Sequence, residues 1–424
     1  MQGNPLSDRG AGLTKARVLL LQGPVGPFFS ELADALTGAG HEVRRIGFNI
    51  ADGLFGSRHQ SRFKDGFDRW PQSLSGVLDT WRPHVVVLFG SSRPGHIVAR
   101  KACADRNIPV LSLEEGYVRP GFVTAEWGGN NADSPLAGKM PDSCSSVRPP
   151  AGQDFAGFAS MARYAAAYYT LRTILSDRSA RSFFHRPINI AQELLGWGRN
   201  ACKSVSRPHD EEVVIKRLTS IYSGKFFLVP LQVPTDANLQ GAACGWTTRR
   251  LVDSTLASFA QYADPDARLV FKIHPMARGH GNTESKIRSV AAGNGIADRV
   301  DVLEGGALGH LAQHCAGMIT INSTSGLSAI SHGCPLLVVG NAVYASEVIA
   351  TCAAGRPDFD SFWSGGFVAS ESLRHSFLAW LCNQSLLPGD FYASQGRVMA
   401  IQGVLDKLAS SLRDDHPIGT YKDQ

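Results

Sequence analysis

The sequence predicts an α/β protein built from two Rossmann-type domains. Two observations support this prediction: short apolar segments alternate with amphipathic segments in two separate series, and a helical stretch of different composition lies between them. Alternation of this kind is typical of parallel sheets that carry helices on both faces. The length of 424 residues is about three times the commonest domain size, which agrees with two domains and additional segments.

The first series begins with ARVLLLQ at Ala16–Gln22, an apolar run that predicts a buried strand. A turn rich in Gly and Pro follows, and then a helix from about Phe28 to Gly40, where Gly suits a helix C-terminus. The segments EVRRIGFN, HVVVLFG and PVLSLEEG predict the next strands. We therefore assign residues 14–150 to an N-terminal Rossmann-like domain.

A helical insertion is predicted at residues 151–215, where the alternation stops. Between 151 and 207 the chain is rich in Tyr and Arg and carries eight basic against three acidic residues. The second series supplies five further strand candidates, namely KFFLVPLQ, ARLVFKIH, RVDVLEG, AGMITINS and PLLVVG. They predict a C-terminal Rossmann-like domain at 216–385, and residues 386–424 predict helices that pack back against one of the domains.

Composition and charge exclude several classes of protein. The 43% hydrophobic and 19% charged fractions are those of an ordinary globular chain, and a formal charge of +5 is too small to make nucleic acid the expected partner. The polar N-terminus lacks a signal-peptide core, and no apolar run approaches the ~18 residues that a membrane span needs. The eight cysteines form no C-x-x-C pair, which favours a reducing, cytoplasmic compartment.

Two loops of the N-terminal half carry candidate site residues. QGPVGPFF at Gln22–Phe29 links a strand to a helix. Gly23, Gly26 and the amides at the start of that helix form an anion-binding loop, or the segment is a plain tight turn; the sequence favours neither. EEGYVRP places Glu114 and Glu115 at the carboxyl end of a strand, where ligands of α/β sheets bind. Adjacent strand residues point to opposite faces, so one carboxylate is expected to face a substrate as nucleophile or base. A solvated acidic turn is the alternative.

The C-terminal half has three such segments. KIHPMARG puts His274 and Pro275 directly after a strand, where His suits a ribose or phosphate contact and equally well a packed position. ITINSTSGLSAI supplies a run of four polar side chains before a helix, which favours a phosphate cradle over simple capping: Asn322, Ser323, Thr324 and Ser325. LQVPTDANLQ adds Gln232 and Asp236, for which a plain turn is the alternative.

Taken together, the motifs resemble one family. QGPVGPFF, RRIGFNIADGLF, EEGYVRP with its downstream GGNN, PLQVPTD, HPMARG and INSTSGLSAISHGCPLLVVGNAVY resemble the bacterial capsular-polysaccharide biosynthesis and export proteins. More narrowly, they resemble single-module retaining β-Kdo transferases of the GT-B type that use CMP-sugars. The resemblance extends from about Arg17 to Phe362.

The resemblance implies two Rossmann domains that face a cleft, with the donor held by the C-terminal domain and the acceptor by the N-terminal one. The donor-binding residues implied are Pro275, Asn322, Ser323, Thr324, Ser325, Gln232 and Asp236. The acceptor-loop residues implied are Gln22, Gly23, Gly26, Asn49, Arg93 and Arg119. Related enzymes usually carry Glu-Asp-Gly, whereas this chain has Glu-Glu-Gly, so that the reactive side chain is one methylene longer.

The implied reaction is Kdo transfer from CMP-Kdo to a (lyso)phosphatidylglycerol-type lipid, which initiates the poly-Kdo linker of a capsular polysaccharide. Departure of CMP generates an oxocarbenium-like centre, which calls for a carboxylate at the anomeric carbon and stabilisation of the leaving phosphate. Glu115 or Glu114 would supply the first, in a double displacement that retains configuration, and His274 with the hydroxyl cradle would supply the second. CMP has a single phosphate, so neither a metal nor a cofactor is expected.

The remaining expectations concern partners and alternatives. Basic and aromatic side chains of the insertion are predicted to face the anionic inner surface of the cytoplasmic membrane: Arg163, Tyr168, Tyr169, Arg172, Phe183, Phe184, Arg186 and Trp197. A helical insertion that packs its aromatics into the protein is the alternative. Other capsule assembly or export proteins are implied partners. Another CMP-sugar transferase of the sialyl type, or a non-catalytic export adaptor, are the alternative functions.

Overall fold

Each half of the chain carries its own sheet. The computed structural model describes residues 15–56, 59–143, 148–175, 178–183, 208–233, 238–274, 282–353 and 357–413. Unit 1 takes the described residues within 15–130, 152–183 and 385–413, and unit 2 takes those within 131–151 and 208–384.

The strands are β1 Arg17–Leu20, β2 Glu42–Gly47, β3 Gln60–Arg62, β4 Val85–Phe89, β5 Val110–Glu115, β6 Phe122–Trp127, β7 Phe226–Leu231, β8 Arg268–Ile273, β9 Val300–Leu303, β10 Gly317–Thr320, β11 Leu336–Val338, β12 Thr351–Cys352 and β13 Leu386–Pro388. The helices are α1 Phe28–Gly38, α2 Trp70–Trp81, α3 Pro94–Ala104, α4 Phe158–Leu175, α5 Arg178–Arg181, α6 Pro208–Ser220, α7 Asn238–Gly241, α8 Thr248–Tyr262, α9 Thr283–Gly293, α10 Leu308–His314, α11 Ser325–His332, α12 Phe359–Phe362, α13 Glu371–Ser385 and α14 Ser394–Arg413.

Unit 1 contains a Rossmann-type sheet with an added edge. Among its described residues the strand order is β13-β6-β5-β4-β1-β2-β3, and β1 to β5 run parallel. The order 3-2-1-4-5 of these five strands is that of the Rossmann fold. β6 and β13 extend it, with β6 antiparallel to both of its neighbours.

Helices cover both faces of this sheet because its central strands are apolar on both sides: β4 is buried at all of its residues, and β1 at all but Arg17. Alternate residues such as Leu111 and Leu113 pack with α1 and α14 in one cluster. The intervening strand residues, including Val86 and Leu88, pack with α2 and α3 in a second cluster on the other face. The prediction of a sheet covered on both faces is confirmed for this unit.

Unit 2 repeats the architecture with an all-parallel sheet. Its described strands lie in the order β12-β11-β10-β7-β8-β9, again the 3-2-1-4-5-6 arrangement when counted from β7. Phe227, Leu269 and Ile319 pack with α8, α9 and α12 on one face. Met318 and Leu336 point to the other face and are equally buried. The predicted α/β fold with two Rossmann-type domains is therefore confirmed, while their facing across a cleft stays a prediction.

The division of the chain differs from the predicted boundaries in four places. Residues 131–151 group with unit 2, because Asn131 is hydrogen-bonded there, and residues 152–183 group with unit 1, because α4 packs on it. Residues 208–215, predicted to belong to the insertion, group with unit 2, and residues 385–413 group with unit 1, where β13 pairs with β6. Of the predicted insertion at 151–215, residues 184–207 lie outside the described residues.

A buried histidine directly before β2, His41, is expected to make unit 1 sensitive to acid. His41 Nδ1 accepts a hydrogen bond from the Ala16 amide at 3.3 Å, and burial lowers the pKa of His41 below its ordinary value of 6.5. The unfolded chain therefore binds a proton before the folded chain does as the pH falls below about 6.5. We therefore expect the midpoint of urea unfolding to fall as the pH decreases below about 6.5. The contribution of His41 should lower the free energy of unfolding by up to about 1.4 kcal/mol per pH unit.

Urea unfolding of the wild type and of His41→Gln at pH 7.5 and pH 5.5 tests this expectation. The glutamine oxygen is able to accept the Ala16 bond and does not titrate, so the variant should lose less stability on acidification. Equal losses in the two proteins would show that His41 does not contribute.

Candidate active site

Each Rossmann sheet has one place where the strand order reverses, and ligands of such sheets bind beyond the carboxyl ends of the strands there. In unit 1 this switch point lies between β1 and β4, and in unit 2 it lies between β7 and β10. Predicted site residues follow all four of these strands. Gln22 follows β1, Arg93 follows β4, Gln232 follows β7 and Asn322 follows β10.

At the unit 2 switch point, the predicted donor-binding residues Gln232 and Asn322 are hydrogen-bonded to each other. Gln232 Nε2 donates to Asn322 Oδ1 at 3.0 Å, and the Asn322 amide donates to Gln232 Oε1 at 3.4 Å. Asn322 is completely buried, whereas Gln232 is half-buried. Asn322 therefore shapes the loop after β10, and Gln232 is the member of the pair with access to a ligand.

The hydroxyl run that follows lies at the start of α11. Ser323 Oγ accepts from the Ser325 amide at 3.2 Å and lies 2.9 Å from Ser325 Oγ. Within the described residues Thr324 makes no side-chain bond that caps the helix, although it occupies the N-cap position. The amides of Gly326 and Leu327 donate to the carbonyls of Ser323 and Thr324, so the first turn is capped from within. The half-buried hydroxyls of Thr324 and Ser325 are the groups that this turn presents to a ligand.

Close packing fixes the backbone of this cradle. The Tyr344 hydroxyl donates to the Ser323 carbonyl, and a methyl group on Gly326 would come within 2.4 Å of the Tyr344 ring and hydroxyl. Gly326 is therefore needed for the approach of Tyr344 to the first turn of α11. A preformed cradle of this kind suits a phosphate group.

Asn131, which was not among the predicted site residues, is hydrogen-bonded to the loop after β10. It is buried with φ of 53°, a left-handed conformation that Asn tolerates, and its Nδ2 donates to the Asn322 carbonyl at 3.1 Å. Its Oδ1 accepts from the Val343 amide at 3.1 Å. The GGNN run was a visible signal, but only the fold reveals which chain segments the asparagine joins.

Replacing Asn131 with aspartate is expected to lower the stability of unit 2 by about 2 kcal/mol, because the lost donor leaves the Asn322 carbonyl facing a carboxylate. Urea unfolding measures the loss. The exposed Asn341→Asp serves as the control and should change stability by less than about 0.5 kcal/mol. Equal effects in the two variants would contradict the role of Asn131.

Of the three other site residues predicted in this half, the structure describes His274. His274 follows β8 directly and is exposed, one strand away from the switch point. Pro275 and Asp236 lie outside the described residues. His274 therefore lies at the predicted sheet edge, and its role stays a prediction.

At the unit 1 switch point, three predicted acceptor residues meet. Arg93 Nη1 donates to Gln22 Oε1 at 3.1 Å, and Gln22 Nε2 donates to Asp52 Oδ1 at 3.0 Å. Asn49 Nδ2 donates to Asp52 Oδ2 at 3.1 Å and to the Tyr168 hydroxyl at 2.8 Å. Tyr168 in turn donates to Asp52 Oδ1 at 2.8 Å.

Asp52 and Tyr168 were not predicted as site residues, yet they bind this cluster together. Asp52 also accepts from the Phe48 and Asn49 amides, so its carboxylate is held by several donors. Burial raises the pKa of Tyr168 well above its usual value, and the charge of Asp52 raises it further. A capping-box spacing, N-x-x-D at Asn49 and Asp52, was a usable signal for Asp52. No sequence signal pairs Tyr168 with it.

The glycines of the first loop lie against aromatic rings, and Arg119 lies elsewhere. A methyl group on Gly23 would come within 2.5 Å of Phe29, and one on Gly26 within 2.8 Å of Tyr164 in α4. Arg119 is exposed and its Nε donates to the Gly116 carbonyl at 3.1 Å. The structure thus brings Gln22, Asn49 and Arg93 together, whereas Arg119 lies on the turn after β5.

The two adjacent glutamates point to opposite faces of the sheet, as the alternation of strand residues requires. Glu114 Oε2 lies 3.4 Å from the place that a methyl group on Gly90 would take, next to the side chain of Arg93. Glu115 Oε1 accepts a hydrogen bond from the Tyr392 hydroxyl at 2.6 Å. Both carboxylates are half-buried, and Tyr392 is a further residue that sequence reasoning missed.

The prediction that the insertion presents its aromatic and basic side chains to a membrane is wrong for three of the residues named. Tyr168, Arg172 and Phe183 are buried in unit 1. Phe183 stacks on Phe48 with ring centroids 4.5 Å apart, because its apolar ring gains more from the core than from water.

The other five residues of that prediction divide into two groups. Arg163 is exposed, and Tyr169 is half-buried under the Arg172 guanidinium. Phe184, Arg186 and Trp197 lie outside the described residues.

Within the part of the chain that the structure describes, no group of three or more His, Cys, Asp or Glu side chains is arranged to hold a metal ion. In the same residues, every helix is too short or too polar to cross a bilayer.

Comparison with known proteins places the chain in a family. Residues 84–392 match the family described as "Capsule polysaccharide biosynthesis protein". The capsule polysaccharide modification protein LipB of Neisseria meningitidis serogroup A is 32% identical over 391 residues, which cover 89% of this chain and 91% of LipB. The capsule polysaccharide export protein KpsS of Escherichia coli is 29% identical over 404 residues, which cover 92% of this chain and all of KpsS.

Among solved structures, Thermosulfurimonas dismutans KpsC, described as a beta Kdo 2,7 transferase, aligns at 12% identity with a TM-score of 0.40, covering 93% of this chain and 100% of that chain. The family match covers well over half of the sequence, and LipB is similar along most of its length. The chain therefore belongs to the capsule polysaccharide biosynthesis protein family.

Proposed function

We propose that this protein is a retaining β-Kdo glycosyltransferase. It transfers Kdo from CMP-Kdo to a (lyso)phosphatidylglycerol-type lipid and so initiates the poly-Kdo linker of a capsular polysaccharide. Membership of the capsule polysaccharide biosynthesis family supports the pathway. The observation on which the proposal depends most is the hydroxyl cradle at the unit 2 switch point, because a CMP-sugar presents one phosphate to its enzyme.

The donor nucleotide is assigned to unit 2. Ser325 and Thr324 offer hydroxyls to the phosphate that leaves with CMP. Gln232, held by Asn322, has a half-buried amide at the same switch point. His274 is assigned to the departing phosphate, whose negative charge an imidazolium would stabilise.

The carboxylate chemistry is assigned to unit 1. In the first step a Glu115 oxygen bonds to the anomeric carbon of Kdo while the bond to the CMP phosphate breaks and the phosphate keeps the electron pair. In the second step the oxygen of the acceptor hydroxyl bonds to the same carbon and gives its proton to water, while the bond to Glu115 breaks and Glu115 leaves as a carboxylate. Two inversions retain the configuration. No metal or cofactor is required by these steps.

The acceptor is assigned to the cluster of Gln22, Asn49 and Arg93. Arg93 supplies a guanidinium, which suits the phosphate of a phosphatidylglycerol headgroup. Because such an acceptor belongs to a lipid, we propose that the protein works at the inner face of the cytoplasmic membrane. The buried Tyr168, Arg172 and Phe183 have no part in that contact.

One experiment tests the assignment directly. The purified protein is incubated with CMP-Kdo and a fluorescent lysophosphatidylglycerol, and the product is identified by mass spectrometry as the lipid plus one or more Kdo units. Calorimetric titration with CMP, UDP and GDP accompanies it, and CMP should bind at least tenfold more tightly than either diphosphate. Preference for UDP would overturn the CMP-sugar assignment. Binding of capsular polymer without CMP release would favour an export adaptor instead.

A further inference from the structure

Tyr392 lies 277 positions along the chain from Glu115, yet its hydroxyl donates to Glu115 Oε1 at 2.6 Å. The tyrosine is buried beside Phe391 in the short segment between β13 and α14. Burial raises the pKa of Tyr392 well above its usual value, and the negative charge of Glu115 raises it further. The hydroxyl therefore stays protonated at neutral pH and acts as a hydrogen-bond donor to the carboxylate.

The backbone on both sides of Tyr392 is held rigidly. Asp390 Oδ1 accepts from the amides of Tyr392 and Ala393, and Arg397 Nη1 donates to the Tyr392 carbonyl. Arg397 is itself paired with Glu31 of α1 through two bonds, of 2.8 and 2.9 Å. The position of the Tyr392 hydroxyl is thus set by the core of unit 1, so it offers Glu115 a fixed partner.

Glu115 gains more from a fixed partner than an aspartate would. A glutamate side chain has three rotatable bonds, and restricting them costs conformational entropy. Within the described part of the chain, Oε1 is the oxygen of this carboxylate that is hydrogen-bonded, which leaves Oε2 to meet a substrate. The Tyr392 bond selects one arrangement of the longer side chain before a substrate arrives.

We propose that Tyr392 is a positioning residue that holds the carboxylate of Glu115 for attack on the donor sugar. This inference rests on the proposed transferase function. It predicts that removal of the Tyr392 hydroxyl lowers the rate of the chemical step and leaves donor binding nearly unchanged, because Tyr392 acts through Glu115.

A second buried tyrosine–glutamate pair in the same unit provides the matched control. Tyr117 donates to Glu126 Oε2 at 2.6 Å, the same length as the Tyr392 bond. Glu126 is 2% exposed, and its carboxylate also accepts from Asn130 and Ser385. Tyr117→Phe therefore removes an equivalent buried bond without touching Glu115.

The kinetic test compares Tyr392→Phe and Tyr117→Phe in two backgrounds, wild type and Glu115→Asp, with CMP-Kdo and lysophosphatidylglycerol. In the wild type, Tyr392→Phe should lower kcat about tenfold, with KM for CMP-Kdo within about twofold, and Tyr117→Phe should change kcat less than about threefold. In Glu115→Asp the shorter carboxylate no longer reaches Tyr392, so Tyr392→Phe should have less than about a twofold effect. Equal losses in both backgrounds would overturn the inference.

A second measurement does not depend on turnover. In protein labelled with ¹³C at the glutamate carboxyls, the Glu115 resonance is identified by its absence in Glu115→Gln. At a fixed pH of 7.5 it should shift in Tyr392→Phe and stay in place in Tyr117→Phe. A resonance unmoved in Tyr392→Phe overturns the positioning role. If the resonance moves but the wild type does not use CMP-Kdo, the proposed function fails and the coupling of Tyr392 to Glu115 stands.

Discussion

Replacing Glu115 with glutamine is expected to lower kcat for Kdo transfer about a thousandfold. The amide has almost the same size and its oxygen still accepts the Tyr392 bond, so the fold should be unchanged. An amide oxygen is a much weaker nucleophile than a carboxylate, and the covalent step is lost. CMP release from CMP-Kdo with lysophosphatidylglycerol measures the effect, and circular dichroism checks the fold.

Glu114→Gln is the matched control, since it makes the same chemical change one residue away on the opposite face of β5. Glu114 lies near Gly90 and Arg93, so its substitution is expected to weaken the acceptor cluster and to lower kcat/KM about tenfold. Near wild-type turnover by Glu115→Gln would refute the assignment. A larger loss in Glu114→Gln would transfer the role of nucleophile to Glu114.

Replacing Glu126 with alanine is expected to lower the free energy of unfolding of unit 1 by about 3–5 kcal/mol. Tyr117, Asn130 and Ser385 would lose their common acceptor in a buried position. Burial already lowers the pKa of the half-buried Lys407, and the charge of Glu126 counteracts this effect, so the substitution also removes a favourable neighbour of this ammonium group. Urea unfolding followed by tryptophan fluorescence measures the loss.

An exposed carboxylate supplies the comparison. Glu371 is 71% exposed beside His375, and Glu371→Ala should change stability by less than about 1 kcal/mol. If Glu126→Ala unfolds at the same urea concentration as the wild type, the network around Glu126 does not stabilise the protein. Tyr117→Phe should give an intermediate loss, because Glu126 then keeps its bonds with Asn130 and Ser385.

Most strands that the sequence predicted contain a continuous apolar run, whereas β2 and β9 are interrupted by charged residues. The nine predicted segments correspond to β1, β2, β4, β5 and β7 to β11. The strands that were missed are short or polar: β3, β12 and β13 have two or three residues each, and β6 carries the buried polar side chains Thr124 and Glu126. Their strand character comes from pairing with neighbours, which local pattern does not encode.

The sequence likewise predicted some residues of the candidate site and missed others. Residues directly after strands were found because the carboxyl ends of parallel strands share one edge, as for Gln22, Gln232 and Asn322. Their partners Asp52, Asn131, Tyr168 and Tyr392 were missed. The membrane-facing prediction failed at Tyr168 and Phe183 because amphipathic composition does not say which partner covers an aromatic face.

By itself the sequence determined that the chain is α/β, that it has two parallel-sheet halves, and that acidic, histidine and hydroxyl motifs stand at strand ends. These features are local, since each depends on residues within one strand or one turn. Only the tertiary structure decided that Tyr392 meets Glu115 and that Asn131 joins the loop of Asn322. Such pairs come from chain segments separated by hundreds of residues, and their contact depends on how helices and strands pack rather than on any periodicity in the sequence.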